Sequence, residues 1–520
     1  MAKTIKYPVG IQTFRKIRED NNLYVDKTGY IPDLINDSKY IFLNRPRRFG
    51  KSLFMSTLEA YFKGERELFK GLEISRTEKE WLSYPVFRFD LSPGYFNDVT
   101  RLKDRLNGCL REIERRYALS AEDGNEAERF MNLIRQAVEI TGRKVVILID
   151  EYDKPLLDCL HDETLHEQIK GELRGFYSVL KASDEYIRFA MLTGVTKFGK
   201  VSIFSGLNNL KDISMLPKYN GICGISESEF RRDFVKSVEE FSAVSVISKD
   251  EVWKEFKRWY DGYHFARTGE NIYNPFSVLN AFDSEEIKSY WFASGSPSYL
   301  INLIKRYGFI LSDLEGEWRR ESSLSDISEV SRDFVPLLYQ SGYLTIKGYD
   351  GLSRQYKLGF PNREVYEGFW ESLADYFFSG YGGRPSFDLF KFLEEVNSGE
   401  AERFMVRLQS LFADTDSEAE MNKEIHFQNM MAIVCKMLGL AVRTEVHSSR
   451  GRCDMQIETA ANVYIFEFKI NGNAQDALQQ IKEKGYAERL RIDNRKKILI
   501  GATFSTDTRT LDEWIIEEQL

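Results

Sequence analysis

The stretch Tyr40–Phe62, YIFLNRPRRFGKSLFMSTLEAYF, decides how this chain reads. An apolar β-type run, YIFLN, leads into the polar loop RPRRFGKS and then into a helical stretch, SLFMSTLEAYF. Strand, loop and helix in that order are the setting of a phosphate-binding loop of pattern G-x-x-x-x-G-K-[ST]. There, backbone N–H groups at the helix N-terminus cradle phosphate, the lysine reaches the β- and γ-phosphates, and the hydroxyl binds Mg²⁺. Gly50, Lys51 and Ser52 fill the second half of the pattern, but Arg45 stands where its first glycine is expected. The context predicts a nucleotide site built on a non-standard loop. Arg45, Arg47 and Arg48 either add positive charge at the phosphates, or one of them acts on a neighbouring subunit as an arginine finger, or a basic loop compensates for the missing glycine.

A second element supports the first. VVILIDEYD (145–153) is a fully apolar strand ending in Asp150 and Glu151. An aspartate there holds Mg²⁺ through water, and the glutamate after it polarises the attacking water. Thr193 ends another apolar strand, YIRFAMLT, either as a polar sensor of the γ-phosphate or simply as the residue that closes the strand. The candidate nucleotide-binding residues are therefore Arg48, Phe49, Gly50, Lys51, Ser52, Asp150 and Thr193. Ser52 and Asp150 serve the Mg²⁺, and Glu151 is the catalytic residue.

At 520 residues the chain is too long for one core and predicts two to four domains. With 42% hydrophobic and 14% aromatic residues it can bury sizeable cores. A net charge of −8 argues against a whole-molecule grip on nucleic acid, so any such contact needs a local basic face. The five scattered cysteines form no metal-ligand spacing and predict a reducing compartment without structural zinc. The opening MAKTIKYPVG has no signal-type apolar region and no run is long enough to span a bilayer, so the expectation is a soluble cytoplasmic protein without membrane contact.

The first half alternates apolar runs (40–43, 86–91, 144–150, 186–194) with helical stretches, which predicts a parallel α/β sheet ending near Leu216. From about 226 to 335 the pattern is mostly helical. LLYQSGYLTI, the turn YDG (349–351) and QYKLGF then predict a helix and a two-stranded hairpin. That arrangement suits a winged helix able to touch DNA, or a hairpin that merely packs on its neighbours. A polar break at 382–388 precedes a last domain of roughly 130 residues.

The last domain reads αβββαβ: a helix over 421–438, strands LAVRTEV, CDMQIE and NVYIFEFKI, a helix from Ala474, and a strand KKILIGATF. Alternation along VYIFEFK places Glu467 and Lys469 on one face and Tyr464, Phe466 and Phe468 on the other. An acid and a lysine on so apolar a strand form either an ion pair or a reaction centre. Asp454, at the start of the neighbouring strand, and Glu424, on the preceding helix, add carboxylates. Asp454 and Glu467, with Glu424, suit Mg²⁺ or Mn²⁺, and Lys469 would orient or help deprotonate a water attacking a phosphodiester. Gln479 and Gln480, expected to open the next helix, either steady the lysine or a phosphate or face solvent.

Taken together, YPVGIQTFRKIR, YVDKTGYI, RPRRFGKS, VILIDEYDKPL, TGVTKFGKVSIFSGLNN, WYDGYHF, YNPFSVLN, LGFPNREV, GRCDMQIET, YIFEFK and ALQQIKEKGYA resemble bacterial proteins that join an N-terminal AAA-ATPase-like domain to a C-terminal PD-(D/E)XK nuclease-superfamily domain. The resemblance covers nearly the whole chain. It implies that RPRRFGKS is a family form of the loop, that Lys51 and Ser52 bind phosphate and Mg²⁺, that Asp150 and Glu151 are the Walker B pair, and that Asp454, Glu467 and Lys469 are the nuclease core with Glu424 as the helix acid. The expected fold is an α/β P-loop NTPase core (1–216), a helical lid and possible winged helix (217–380), and an αβββαβ nuclease-like domain (381–520). The expected function is ATP hydrolysis coupled to metal-dependent DNA cleavage, in genome defence or mobile-DNA processing and possible as a homo-oligomer. The alternative is a nucleotide-driven switch or signalling ATPase whose last domain binds DNA or protein without cutting.

Overall fold

Four apolar runs and one short edge strand of the first half form a single parallel sheet: β1 (Tyr40–Asn44), β2 (Val86–Asp90), β3 (Val145–Asp150), β4 (Ile187–Gly194) and β5 (Lys211–Asp212). The computed structural model describes residues 5–121, 123–198, 203–204, 209–292, 300, 303–304, 307, 309, 311, 314–325, 327, 333–377, 389–413, 423–448, 451–505 and 510–519. Within helices and strands it leaves aside the side chains of 375–377, 389–390, 412–413, 423–427, 445, 447–448 and 489. The polar break at 382–388, parts of TGVTKFGKVSIFSGLNN (199–202 and 205–208) and the turn residues 449–450 lie outside the described residues. The chain divides into two compact units, Met1–Ser294 with Trp318–Val365, and Gly295–Glu317 with Tyr366–Leu520.

In the first unit the strand order is β2-β3-β4-β1-β5. Every residue of β3 is buried, as expected of a central parallel strand covered by helices on both faces. The covering helices include Lys51–Phe62, Val99–Tyr117, Glu126–Thr141 and Glu163–Ala182. The long charged region after 99 is thus two helices, the second opened by a capping box between Asn125 and Glu128. Because β4 lies between β1 and β3, the ends of all three strands meet at the carboxyl edge, where parallel sheets collect their ligand-binding residues.

The helical stretch that follows contains Glu227–Asp233, Val235–Ser245, Lys249–Tyr260 and Pro275–Ser284. It is held by an aromatic core in which Phe256 stacks on Phe282 at 4.2 Å and Phe230 meets Tyr273 at 4.5 Å. Such pairs contribute about 0.5–1.5 kcal/mol each beyond their area burial. A short antiparallel pair, β6 (Ile225–Ser226) with β7 (Ile272–Tyr273), closes this part. The expected hairpin is present as β9 (Thr345–Asp350) and β10 (Gln355–Gly359), preceded by the helix Val335–Ser341. A third strand, β8 (Trp318–Arg320), pairs with β10 and gives the order β8-β10-β9.

The second unit carries the expected αβββαβ order. The helix Lys423–Met437 is followed by β11 (Ala441–Ser448), β12 (Gly451–Glu458) and β13 (Asn462–Ile470), then by the helix Ala474–Glu483 and β14 (Lys496–Phe504). A further strand, β15 (Leu511–Gln519), adds antiparallel to β14 as the sheet edge. Its sequence, LDEWIIEEQ, has acids at both ends and no period-two pattern, so only its partner β14 marks it as a strand. β13 and β14 run parallel, and the helix Ala474–Glu483 covers them, with Leu478 and Ile481 against Ile465 and Leu499. Gly501 is needed there, because a Cβ would lie 2.4 Å from the backbone nitrogen of Leu478. On the opposite face Phe404 packs edge-on to Tyr464 at 5.2 Å.

Candidate active sites

The loop RPRRFGKS leaves β1 at Asn44 and reaches its helix at Lys51. Two residues in it take the left-handed region, Arg48 at φ 68° and Gly50 at φ 91°. Arg45 is not one of them, so nothing in the backbone demands glycine at the position where the standard pattern places its first. The Arg45 guanidinium is buried, donates to the carbonyls of Asn44 (2.9 Å), Ser214 (2.8 Å) and Tyr219 (3.0 Å), and stacks 4.2 Å over Phe265. Of the readings offered for the arginines, Arg45 takes the structural one: it braces the loop from beneath and does not face a phosphate. Arg48 is exposed, with its guanidinium 4.9 Å over Phe276.

Phe49 points into the core, edge-on to Tyr263 at 4.7 Å and Phe265 at 5.4 Å, and its carbonyl accepts from Gly224 N–H at 3.0 Å. The WYDGYHF motif is therefore the floor on which the loop rests. YVDKTGYI fastens the other side: Lys27 is buried against Glu229 at 2.6 Å and donates to the Gly221 carbonyl at 2.7 Å. Between these segments lies an open pocket lined by Pro8, Leu23, Val25, Leu53, Ile225 and Leu279 and opening beside Gly50.

Lys51 Nζ donates to the carbonyls of Arg45 (3.0 Å) and Pro46 (3.1 Å) and lies 3.6 Å from a Glu151 carboxylate oxygen. Glu151 itself holds a left-handed backbone, φ 54°, which costs a non-glycine residue about 1–2 kcal/mol. Asp150 is buried at the end of β3 and accepts from the Thr193 hydroxyl at 2.8 Å and from Ser52. Burial raises the Asp150 pKa, the Glu151 charge raises it further, and Ser52, Arg88 and Thr193 act in the opposite sense. Gly50, Lys51, Ser52, Asp150, Glu151 and Thr193 thus converge at one edge of the sheet, with Phe49 beneath and Arg48 at the rim. No side chain caps the helix that starts at Lys51, so its first N–H groups face the same space.

The second site sits on β12 and β13. Asp454 lies in the middle of β12 and accepts from the Phe468 N–H at 2.7 Å, so its carboxylate sits beside Glu467 where the ladder between these strands opens. Glu467 is 2% exposed. One of its oxygens accepts from Lys469 Nζ at 3.3 Å and from the Gln480 amide, while the other, Oε2, is buried with no hydrogen-bond partner. Burial first, and the Asp454 charge second, push the Glu467 carboxyl up to about 7. Lys469 is half-buried and donates to Gln480 Oε1 at 2.7 Å. A buried carboxylate with an orphaned oxygen beside a second carboxylate fits a divalent cation, whose charge would offset the desolvation that now raises the pKa.

Residues 8–204 match the model of a predicted AAA-ATPase family, and residues 422–514 match that of the PD-(D/E)XK nuclease superfamily. A relative from Azotobacter chroococcum mcd 1, described as an uncharacterized protein in the vnfD 5′ region, is 36% identical over 526 residues, covering 98% of this chain and 99% of its own. The chain belongs to the family that joins these two domains.

In the PD-(D/E)XK domain, Glu424 lies near the start of the helix Lys423–Met437, and its side chain is among those outside the description. Among the described residues no group of three or more His, Cys, Asp or Glu side chains converges, so the described acids at this site are the pair Asp454 and Glu467. The two glutamines do not open their helix, which starts at Ala474 after the cap Asn473. Gln480 bridges Lys469 and Glu467, whereas Gln479 turns outward to Glu483. One residue apart on a helix means about 100° of rotation, so only one of them can face β13.

In the AAA-ATPase-like domain, sequence reasoning missed Arg88 and Asp153. Arg88 on β2 reaches Asp150 (3.5 Å) and Glu59 (3.1 Å), and the signal for it was a lone cation inside the apolar run VFRFD. Asp153 is fully buried and accepts from Val195 N–H, Thr196 N–H (2.6 Å) and the Thr196 hydroxyl, clamping the chain just beyond Thr193. Gly194 makes room for it, since a Cβ there would lie 2.3 Å from Asp153 Oδ1. Among the described residues no helix is long and apolar enough to cross a membrane.

Proposed function

We propose that this protein binds and hydrolyses ATP in its AAA-ATPase-like domain and cuts DNA with a divalent cation in its PD-(D/E)XK domain, the first activity controlling the second. One observation carries the nuclease half: the orphaned, buried Oε2 of Glu467 beside Asp454, with Lys469 held by Gln480. Asp454 and Glu467 are the residues that would hold Mg²⁺ or Mn²⁺, which supplies charge neutralisation for the phosphate oxygens. Lys469 Nζ orients the attacking water and eases removal of its proton, and Gln480 keeps that ammonium on the side of the carboxylates.

In the ATPase half, Lys51 and the open N–H groups of its helix take the phosphates, Ser52 and Asp150 serve Mg²⁺, and Glu151 acts on the attacking water. Thr193 reports the state of the γ-phosphate through Asp150. The apolar pocket beside Gly50 receives the base, stacked among Pro8, Val25 and Leu279. Binding of phosphate must draw Lys51 away from Glu151 and the loop carbonyls, which frees the glutamate for its role. In this reading the functional segments are 1–216, 217–380 and 381–520, the setting is cytoplasmic, and genome defence or mobile-DNA processing is the natural context. Self-assembly would let Arg48 act on a neighbouring copy.

The test is cleavage of supercoiled, linear and single-stranded DNA in Mg²⁺ or Mn²⁺, with and without ATP, beside Glu467→Ala and Lys51→Ala. Cleavage should vanish in the first variant and lose its ATP dependence in the second. Intact ATP hydrolysis with no cleavage under any condition would instead favour a switch whose last domain only binds.

A further inference from the structure

The three-stranded sheet β8-β10-β9 has two unlike faces. Tyr356, Leu358 and Ile346 are buried on one, and Tyr349 packs against Tyr356 at 4.9 Å. Register places Trp318 directly opposite Lys357, and Arg320 opposite Gln355, on the other. Trp318 is 43% exposed, and Arg320 and Lys357 are exposed beside it. Directly opposed cross-strand side chains stand about 5 Å apart, so the indole and the ammonium form one continuous strip.

The hairpin tip extends the strip. Arg354 is exposed in a left-handed turn, and Leu352 is 96% exposed. Among the described residues, none of Arg320, Arg354 and Lys357 has an ion-pair partner. The carboxylate nearest in the turn, Asp350, is occupied by the N–H groups of Leu352 and Ser353. Three cations against the single carboxylate of Asp350, around an exposed tryptophan and with an apolar tip, stand out on a chain of net charge −8.

We infer that the β9–β10 ribbon with β8 is a duplex-DNA grip. Arg320, Arg354 and Lys357 neutralise backbone phosphates, Trp318 packs against the sugar-phosphate edge, and Leu352 enters the groove. A two-stranded ribbon fits the width of the major groove, where an apolar side chain at its tip can meet thymine methyl groups. This inference rests on the DNA reading of the nuclease domain and adds where the ATPase unit holds the substrate.

The experiment measures anisotropy of a fluorescein-labelled 25-base-pair duplex with the full-length chain in a Glu467→Ala background, which leaves the duplex uncut, across about 50–200 mM salt. Arg320→Ala, Arg354→Ala and Lys357→Ala combined should weaken binding at least about tenfold at low salt and lower the log–log salt slope by about two to three. Lys357→Glu alone should weaken binding in the same direction, Lys357→Arg should retain it, and Trp318→Ala should weaken it with little change of slope. ATP hydrolysis without DNA and the melting temperature serve as controls for folding. A parent that binds duplex, with a folded triple variant and Lys357→Glu that match its affinity and slope, overturns the grip and leaves the nuclease reading standing. A parent that binds no DNA at any salt overturns both, and a strip that then retains a protein partner would identify a protein-docking face instead.

Discussion

Gln480 Oε1 accepts a 2.7 Å hydrogen bond from Lys469 Nζ while the Gln480 amide donates to Glu467. One helical side chain therefore spans both members of the E-x-K pair and sets the direction of the lysine. Gln480→Leu should lower single-turnover cleavage about 10–100-fold, as loss of a supporting partner at a metal site commonly does. Mn²⁺ titration of the same variant should show a smaller change, because Asp454 and Glu467 remain. Cleavage at the parent rate would show that Gln480 positions nothing.

Lys51 is buried and satisfies the carbonyls of Arg45 and Pro46. Lys51→Met should reduce phosphate release from ATP at least about 100-fold, the scale of losing one preorganised charged donor. It should also cost about 1–3 kcal/mol of stability for the stranded carbonyls, read by thermal unfolding. Unchanged hydrolysis would remove Lys51 from the nucleotide site.

Arg45→Gly would restore the standard loop pattern in writing only. The guanidinium serves three carbonyls and stacks on Phe265, so its removal should destabilise the unit by at least about 3 kcal/mol. Chemical denaturation of the full chain measures this. Equal stability would mean that Arg45 braces nothing.

Glu364 is fully buried and accepts from Ser277 Oγ (3.0 Å), Tyr290 N–H (2.6 Å) and Trp291 N–H (2.8 Å). Burial pushes its carboxyl up to about 7 despite those donors. A raised carboxyl pKa means the folded state holds the proton more tightly, so this stability is complete below the unfolded value near 4.5 and is lost as pH rises through 7. Over the whole window the change is about 3 kcal/mol. Glu364→Gln, which cannot titrate, should gain on the parent in melting temperature between pH 5 and pH 8. A difference that stays flat with pH would contradict a buried, protonatable Glu364.

Much of this was legible in the residues. RPRRFGKS between a strand and a helix, VILIDE at the end of another, and YIFEFK after GRCDMQIE mark the two candidate sites locally, because period, charge and glycine placement act over a few residues. The reading failed where a neighbour in space decides. β15 is a strand because β14 offers an edge. Arg45 faces inward because the carbonyls of Ser214 and Tyr219 and the ring of Phe265 wait more than 160 positions away. Arg88 and Asp153 look like ordinary charges until β2 and the turn after β4 bring Asp150, Val195 and Thr196 to them.

The sequence by itself determined which segments are strands and helices around both sites and which side chains they offer. Only the tertiary structure decided that β4 lies between β1 and β3, joining Lys51, Asp150 and Thr193 at one edge, and that Gln480 rather than Gln479 meets Lys469. Strand order and helix rotation are set by long-range pairing and burial, which leave no mark on the residues within a single element.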